Sequence, residues 1–471
     1  MHPLACLCPG TVATIQDTEG HLGMATKIND TDCALHVGFG VADVTPPEGL
    51  LMAGSLDPRK NRGTTDPLLA KTLYARGGGG EVAIVGLDLI GITRNQADAA
   101  IAEASRRTGI GPDAIIISCS HTHSGPYTSG GQSGDVRVDA DYIAKLPGLI
   151  ADSISQAVGA AQPATMYIGR SLVYKGIHHR RVVSKGDGKA VNTWMGGLLG
   201  DLAATPQVLG TAGPIDPELW VARFDTPDGQ VLGTLVNFSL HANSYFGNTW
   251  SADYPCVIAE QIAAAFGEQA VSVFTPGACA NINPLIVRDR WREGAAVFAE
   301  AAVAAATGAR PVAEPVAVAA ARRNVKVPRR DPASQREGAI ERLNWGAGGG
   351  RKDVFGPRKD WVASLPEHLE VPVSAARIGP LCMATNAGEL FVECGIEIKR
   401  RSPFPHTIVA ELTNDCIGYQ PNVEAFKMEG YEALVGTNRV SPEGIQMLID
   451  NAVEMLENLW SAKTACPGQK R

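Results

Sequence analysis

The sequence predicts an α/β fold in which strands and helices alternate along one layered domain. Short apolar runs, of the kind that form buried strands, alternate with longer segments that have helical periodicity. The 471 residues include 52 glycines and 30 prolines, which indicates many turns between these elements. The chain shows no internal repeat and no long linker, so we expect the elements to share one domain.

The predicted strands are mostly apolar and end at turn residues. In chain order they lie at 35–45, 82–90, 114–120, 166–168, 219–224, 231–240, 270–274, 316–327, 369–376, 381–385 and 407–412. Helices are predicted at 95–107, 142–160, 255–266, 293–306 and 441–459, where apolar residues recur with helical spacing. The glycine run at 77–80 precedes a strand and has no helix placed to bind phosphate, so it predicts a hairpin loop.

Composition argues against two classes of protein. The apolar fraction of 45% and the charged fraction of 19% are ordinary for a globular protein. A net charge of −7 argues against nucleic acid as the main partner, because phosphate binding relies on a basic surface. No window approaches the roughly eighteen continuous apolar residues that a membrane helix needs, so no transmembrane segment is predicted.

The N-terminal residues lack the basic and then apolar regions of a secretory signal, and we expect 1–30 to be a flexible tail. The ten cysteines form no Cys-x-x-Cys pair, and several lie in apolar runs, which is typical of buried thiols in a reducing compartment. We therefore predict a cytoplasmic protein with a single catalytic domain at 31–471.

The segment 328–361 is the least globular part of that domain. It is rich in basic residues and contains the glycine-rich stretch 346–350. The basic residues are Arg329, Arg330, Arg336, Arg342, Arg351, Lys352, Arg358 and Lys359. We expect a solvated surface excursion; the alternatives are a mobile lid and a docking site for an acidic group.

The most informative motif is His121-Thr-His123, which directly follows the apolar strand at 114–120. Residues two apart on extended backbone point the same way, so both imidazoles are expected to face one point. Open α/β sheets build their sites at the carboxyl ends of strands, and a neutral imidazole is a good zinc ligand. The alternative is a pair of polar turn histidines without a metal.

Other residues at strand ends are suited to complete a metal site. His241 ends the strand at 231–240, although a hydrogen-bonded core histidine is the alternative. The candidate carboxylates are Asp88, Asp253, Glu389 and Glu393. Glu389 follows a strand and a glycine-containing turn, which makes it the best placed of these, with a solvated turn glutamate as the alternative.

The segment His121-Thr-His-Ser-Gly-Pro126 resembles the zinc-binding signature of the neutral (non-lysosomal) ceramidases. Further segments resemble the bacterial branch of that family in the same order along the chain. They are Gly40-Val-Ala-Asp-Val-Thr-Pro-Pro47, Gly213-Pro-Ile-Asp-Pro-Glu218, Val236-Asn-Phe-Ser-Leu-His241, the turn Gly388-Glu389, and Thr413-Asn-Asp-Cys-Ile-Gly-Tyr419 followed by Glu429-Gly-Tyr-Glu432. The similarity spans residues 36–440 and is more specific than a lone His-x-His motif.

This resemblance implies a ceramidase-like catalytic domain with a mixed β-sheet core flanked by helices, which hydrolyses an amide bond. It implies one Zn²⁺ per chain, with the ligands His121, His241, Glu389 and Tyr419. It also implies three catalytic residues that act on the reacting group, which are His123, Arg180 and Tyr431. The substrate is then expected to be a small-molecule or lipid-like amide.

The sequence departs from the family pattern at several positions. Tyr127-Thr128 replaces the usual Gly-Gly, Asn281 stands where aspartate is usual, and Asn283 stands where the true ceramidases carry serine. The chain also ends before the C-terminal β-sandwich domain of those enzymes. These departures favour an N-acyl substrate other than ceramide itself.

Three alternative functions remain. A TIM-barrel metal amidohydrolase also has a His-x-His strand end, although at least two predicted strands precede His121 here. An esterase or lactamase acting on a small substrate would use the same metal chemistry, and a non-enzymatic protein would retain only the fold.

Overall fold

The computed structural model describes residues 34–55, 57, 59–128, 138–193, 208–285, 288–340, 343 and 352–462. The expected tail at 1–30 lies outside these residues. The described chain contains three successive units of the same construction. Each unit has three antiparallel strands, a helix, a fourth strand parallel to the third, and a second helix. The predicted α/β class is therefore confirmed.

The first unit occupies the N-terminal part of the described chain. Its strands are β1 (His36–Asp43), β4 (Leu69–Gly77), β5 (Gly80–Leu87) and β6 (Ile115–Cys119), with β7 (Gln162–Pro163) beside β1; β2 (Leu51–Met52) and β3 (Arg59–Lys60) pair separately. Its helices are α1 (Arg94–Thr108) and α2 (Ala140–Gly159). A capping box between Thr93 and Gln96 begins α1. The predicted hairpin loop at 77–80 joins β4 to β5.

The second unit contains an insertion that contributes to the functional site. Its sheet consists of β8 (Thr165–Leu172), β13 (Glu218–Asp225), β14 (Val231–Phe238), β15 (Val271–Pro276) and β17 (Arg310–Pro311), and its helices are α3 (Tyr254–Phe266) and α4 (Trp291–Thr307). Between β8 and β13 lie β9 (Ile177–His179), β10 (Arg181–Ser184), β11 (Ala190–Asn192) and β12 (Val208–Thr211). β16 (Ile282–Pro284) pairs with β9 and connects this insertion to the sheet.

The third unit follows the same order. Its sheet consists of β18 (Val318–Pro328), β19 (His368–Ile378), β20 (Leu381–Thr385) and β22 (His406–Ala410), and its helices are α6 (Val392–Arg401) and α8 (Pro442–Ser461). The helix α5 (Lys352–Ser364) lies between β18 and β19. The short strands β21 (Glu389–Leu390) and β23 (Tyr419–Gln420) pair in parallel, and α7 (Val423–Met428) follows them.

The three sheets share a central core. Apolar side chains from all three pack into one cluster, which includes Val37, Ile84, Phe224, Val273 and Met383. Each sheet also has a separate core with its own helices. Each sheet is therefore covered by helices on one face and by the other sheets on the opposite face, which explains why its strands are apolar rather than strictly alternating.

Several elements of the structure were not predicted from the sequence, among them β4, α6 and the helix α5, which lies in the expected surface excursion at 328–361. β4 was not predicted, because Lys71, Thr72 and Arg76 interrupt its apolar residues. α6 was not predicted either, because it is short and ends in the basic run Lys399–Arg401.

The TIM-barrel alternative is wrong for the described chain, whose strands lie in separate and mostly antiparallel sheets. No described helix is both long and apolar enough to span a membrane.

Candidate metal and catalytic site

Three histidines meet where strands of the first and second units end. His121 and His123 follow β6, and His241 follows β14. The ring centroids lie 4.7 Å apart for His121 and His241 and 4.9 Å apart for His121 and His123. One ligand atom from each imidazole lies within 4.8 Å of the others. The three rings therefore surround one point. The His-x-His motif predicted this for His121 and His123.

The backbone reason for this convergence differs from the prediction. His121 has a φ of 64°, in the left-handed region, rather than extended backbone. Its amide nitrogen donates to Leu89 O at 3.0 Å, and that of His123 donates to Ala242 O at 3.1 Å. These bonds connect the His121 turn to the ends of β5 and β14. The turn brings the two imidazoles together without the two-residue periodicity of a strand.

Each imidazole is oriented by a backbone carbonyl. Nδ1 of His121 lies 2.7 Å from Ile90 O, and Nδ1 of His241 lies 2.8 Å from Cys279 O. Nδ1 of His123 lies 2.9 Å from Gly54 O. Because a carbonyl only accepts, Nδ1 carries the proton in each neutral ring and the Nε2 lone pair faces the common point. This is the arrangement that metal-binding histidines require.

The third unit supplies a carboxylate and a phenol to the same point. Glu389 Oε2 lies 3.4 Å from His121 Nε2 and 3.6 Å from His241 Nε2. Glu389 and Tyr419 begin the paired strands β21 and β23, which places them side by side. Burial raises the pKa of Tyr419 well above its ordinary value, and the hydrogen-bonded Glu389 carboxylate adds to this effect.

The electrostatics of the histidines follow from burial and from these neighbours. Burial lowers the pKa of His241 well below its ordinary value, and the charge of Arg180 lowers it further. Burial also lowers the pKa of His123 well below its ordinary value. For His121 the effect of burial is outweighed by the Glu389 carboxylate, so its pKa is raised. His123 and His241 are therefore neutral, which is the form that coordinates metals.

The donor set fits a zinc ion. His121 Nε2, His123 Nε2 and Glu389 Oε2 are buried atoms without a hydrogen-bond partner among the described residues. Buried polar atoms are normally satisfied, so a cluster of unsatisfied acceptors is the chemistry that suits a bound cation. Imidazole nitrogen and carboxylate oxygen are ordinary zinc donors, and here they converge from all three units.

Arg180 lies beside this cluster at the junction of β9 and β10. Its Nη1 is 3.4 Å from His241 Nε2, and its guanidinium carbon is 5.4 Å from the Tyr419 ring centroid. Its Nε donates to Glu432 Oε1 at 2.9 Å. Burial acts to lower the pKa of Arg180, but Tyr419 and Glu432 outweigh it and the pKa is raised. Arg180 is therefore a charged group with only 1% of its surface exposed.

Tyr431 completes the group of sequence-predicted site residues. Its ring centroid lies 5.3 Å from that of Tyr419, at an interplanar angle of 71°. The structure therefore brings all of the predicted ligands and catalytic residues into one region. The other candidate carboxylates have structural partners elsewhere. Asp88 accepts from Leu69 N, Asp253 caps α3, and Glu393 pairs with His179.

Sequence reasoning missed two buried glutamates that support the site. Glu411 accepts hydrogen bonds from Cys279 N at 3.1 Å and from Leu390 N at 2.8 Å. Cys279 is the residue whose carbonyl orients His241, and Leu390 directly follows Glu389, so Glu411 connects the two loops that position these ligands. Glu432 pairs with both Arg180 and Arg181. The available signal for Glu411 was a single acidic residue within the apolar strand predicted at 407–412.

A second group of possible metal ligands lies away from this site. Asp66, Cys256 and Glu260 are close enough to hold an ion. Arg292 already forms ion pairs with Asp66 and Glu260. A cation therefore occupies the position that a metal would need.

Among solved structures, this chain is similar to one described as a ceramidase complexed with C2. The TM-score is 0.71 at 17% sequence identity, covering 91% of this chain and 76% of the other. It is also similar to the neutral ceramidase from Pseudomonas aeruginosa, with a TM-score of 0.70 at 19% identity, covering 93% of this chain and 77% of the other. No protein-family model and no curated protein sequence matches the chain.

The chain therefore has the fold of the neutral ceramidases. The resemblance found in the sequence is confirmed at the level of the fold by these structural similarities. Identities of 17% and 19% show a shared fold and not a shared substrate.

Proposed function

We propose that this protein is a zinc-dependent hydrolase that cleaves the amide bond of an N-acyl compound. The observation that carries this proposal is the buried convergence of His121, His241 and Glu389, in which Glu389 Oε2 lies 3.4 Å from His121 Nε2 and 3.6 Å from His241 Nε2, and the His121 and Glu389 atoms have no hydrogen-bond partner among the described residues. Tyr419, beside Glu389, is the proposed fourth ligand. The similarity to proteins named as ceramidases, whose name denotes amide hydrolysis, supports the reaction class.

Zinc held by these residues would polarise the substrate carbonyl and lower the pKa of a bound water to about 7, which supplies a nucleophile at neutral pH. Arg180 and Tyr431 lie on the Tyr419 side of the cluster. In the proposed mechanism they donate hydrogen bonds to the oxygen that gains negative charge. Donors of this kind contribute roughly 3–4 kcal/mol each to stabilising the transition state.

His123 is proposed to move the proton. Its Nδ1–H is held by Gly54 O, so Nε2 is the atom that faces the reaction centre. Nε2 would accept a proton from the attacking water and then donate it to the leaving amine nitrogen. Proton transfer by a positioned group of this kind accelerates a reaction by about 10²–10⁴-fold.

The substrate is proposed to differ from ceramide, because the departures from the family pattern lie at the site. Asn283 Oδ1 accepts a hydrogen bond from Arg180 Nη1 at 3.3 Å. The backbone O of Asn281 accepts from Arg180 N at 2.8 Å, a bond that does not depend on the side chain at 281, and the Asn281 side chain itself donates from Nδ2 to Glu393 Oε2 at 2.8 Å. Tyr127 donates to Ser55 O at 3.3 Å and occupies space that Gly-Gly would leave open. The surroundings of Arg180 and the space beside His123 therefore differ from the family pattern.

The test measures metal content and hydrolysis on the same protein. We expect one zinc per chain and zinc-dependent release of amine from N-acyl substrates of graded chain length. His241→Ala should lose both zinc and activity. His406→Ala is the matched control, because His406 stacks on Trp220 away from the site and should retain both.

Matched esters and lactams belong in the same panel. Faster turnover of an ester or lactam than of the corresponding amide would replace the amidase assignment with the esterase or lactamase alternative. Zinc-free protein that remains fully active in the presence of a chelator would overturn the proposal altogether.

A further inference from the structure

Arg358 is a buried cation at the edge of the functional site. It lies on α5, and only 8% of its surface is exposed. Its guanidinium carbon lies 5.1 Å from the ring centroid of Phe355, and that ring packs 5.9 Å from the ring of Tyr431. Its backbone packs against Gly436, where an added Cβ would come within 2.4 Å of Arg358 Cβ. Arg358 is therefore held one aromatic ring away from a proposed catalytic residue.

Arg358 forms no ion pair with any acidic group that the structure describes. Its Nε and Nη1 are buried atoms that have no hydrogen-bond partner among the residues described. Arg180 and Arg181 are also buried and pair with Glu432, whereas the buried Arg330 donates to Ala433 O, Asn438 Oδ1 and Ser334 Oγ. Arg358 has neither kind of partner among the described residues. A buried charge without a partner is strongly unfavourable, so Arg358 indicates that an anion binds beside it.

The position of Arg358 places that anion next to the reaction centre. Burial raises the pKa of Tyr127, and the charges of Arg59 and Arg358 both oppose this increase. Burial likewise raises the pKa of Tyr431, and the charge of Arg358 opposes it. The charge of Arg358 therefore acts both on Tyr127, four residues after His123, and on Tyr431, from which it is separated by the Phe355 ring.

A second cation lies on the Tyr127 side. Arg59 donates to His123 O at 2.6 Å and to Gly247 O at 2.7 Å, and it has no carboxylate partner among the described residues. Its Nε is also buried, with no hydrogen-bond partner in the part of the chain that the structure describes. Arg59, bonded to the carbonyl of His123, and Arg358, next to Phe355, are thus two cations near the site for which the structure describes no acidic partner, in a protein whose net charge is −7.

We propose that Arg358 binds an anionic group of the substrate, so that the enzyme acts on N-acyl amides that carry a carboxylate close to the scissile bond. This inference rests on the proposed amide hydrolysis and specifies its substrate class. A planar guanidinium is well suited to a carboxylate, since its N–H donors match the two oxygens. The carboxylate belongs either to an amino acid on the amine side or to a diacid on the acyl side.

The experiment compares an acid with its uncharged counterpart and adds a second acid whose carboxylate lies on the other side of the scissile bond. N-octanoylglycine and N-octanoylglycinamide have nearly the same shape, and N-succinylbutylamine carries its carboxylate on the acyl side. We expect wild-type kcat/KM to be at least about tenfold higher for one of the two acids than for the neutral amide. Loss of one hydrogen bond to a charged group changes an affinity or a kcat/KM by about ten- to hundredfold. Arg358→Gln should therefore reduce the ratio of kcat/KM for the acid to kcat/KM for the neutral amide by that factor.

Two further variants separate binding from folding. Arg358→Lys keeps the charge and should retain part of the selectivity. Arg377→Gln is the matched control, because Arg377 also stacks on an aromatic ring, that of Phe404, but lies where β19 meets the start of β20. It should leave the ratio unchanged. A ratio near one in wild type, or equal losses on both substrates in Arg358→Gln, would overturn the inference while leaving amide hydrolysis standing.

A binding measurement keeps the inference testable if no substrate is hydrolysed. Calorimetry on the zinc-free protein should show that N-octanoylglycine or N-succinylbutylamine binds more tightly than N-octanoylglycinamide, and that Arg358→Gln removes this difference. Hydrolysis failing for every substrate would overturn the proposed function alone, whereas equal binding of acids and neutral amide would overturn the role of Arg358.

Discussion

Glu432 has no exposed surface and accepts hydrogen bonds from Arg180 Nε at 2.9 Å and from Asn192 Nδ2 at 2.5 Å. It also pairs with Arg181 at 3.5 Å. Burial acts to raise its pKa, but the two arginines outweigh burial and hold the pKa below its ordinary value. This single carboxylate therefore permits two guanidinium groups to be buried beside the proposed metal centre.

Replacing Glu432 by glutamine should be strongly destabilising, because it leaves buried positive charge without compensation. We expect a loss of about 3–5 kcal/mol in the free energy of unfolding, measured by urea denaturation at neutral pH. The matched control is Glu454→Gln, since Glu454 pairs with Arg323 but its side chain is 57% exposed. The control should lose under about 1 kcal/mol.

The difference between the wild type and Glu432→Gln should also depend on pH. A carboxyl group with a depressed folded pKa contributes its stability above its unfolded pKa and loses it as the pH falls through the folded value. The two proteins should therefore converge in acid. If the Glu432 and Glu454 substitutions lower the free energy of unfolding equally at neutral pH, Glu432 does not stabilise the protein through its buried pairs with Arg180 and Arg181.

At the scale of elements, glycines allow helices to approach the first strand of two units closely. Gly40 in β1 faces α2, and an added Cβ would lie 2.0 Å from Ser153 O. Gly169 in β8 faces α4, and an added Cβ would lie 1.9 Å from Ala305 O. In the third unit the glycine lies on the helix instead, at Gly444 in α8, near Pro328 O. Close strand–helix contact is therefore a recurring feature of the fold.

Gly169→Ala should destabilise the protein, because the new methyl group meets backbone that cannot move without separating α4 from β8. We expect a loss of about 1–3 kcal/mol or more in the free energy of unfolding. Gly111→Ala is the control, because nothing lies within 4 Å of the Cβ position there. It should change stability by less than about 0.5 kcal/mol. Equal denaturation midpoints for the two variants would show that the contact is not tightly packed.

At the scale of the whole molecule, the proposed metal site connects the three units. His121 follows β6 of the first sheet, His241 follows β14 of the second, and Glu389 follows β20 of the third. An ion bound at this point would link segments that are far apart in sequence. Metal binding and global stability are therefore expected to be coupled.

Removal of zinc should lower the thermal stability of the whole protein. A ligand present at a hundred times its dissociation constant stabilises the native state by about 2.7 kcal/mol. Differential scanning calorimetry should therefore show a higher Tm for the zinc-loaded protein than for the chelated protein. In His241→Ala the chelator should have little effect, and a chelator shift as large as that of the wild type would argue against His241 as a ligand.

Much of the secondary structure and the chemistry-bearing residues were predictable from local patterns. The apolar run before His121 predicted β6, and the predicted strand at 381–385 coincides with β20. Arg358 was noted only as one basic residue of a segment expected to be solvated, whereas its side chain is buried. Burial of a polar residue depends on contacts with distant segments, and local composition carries little information about such contacts.

The sequence by itself determined which segments become strands and helices, because apolar periodicity and turn residues act over a few neighbouring positions. It also supplied the ligand-type residues at strand ends, including His121, His241 and Glu389. Only the tertiary structure decided that three similar units pack around one core. This packing brings Glu389 Oε2 to 3.4 Å from His121 Nε2 and 3.6 Å from His241 Nε2. That arrangement depends on how the sheets pack together and on the positive φ of His121, and both are set by contacts between residues remote in the chain.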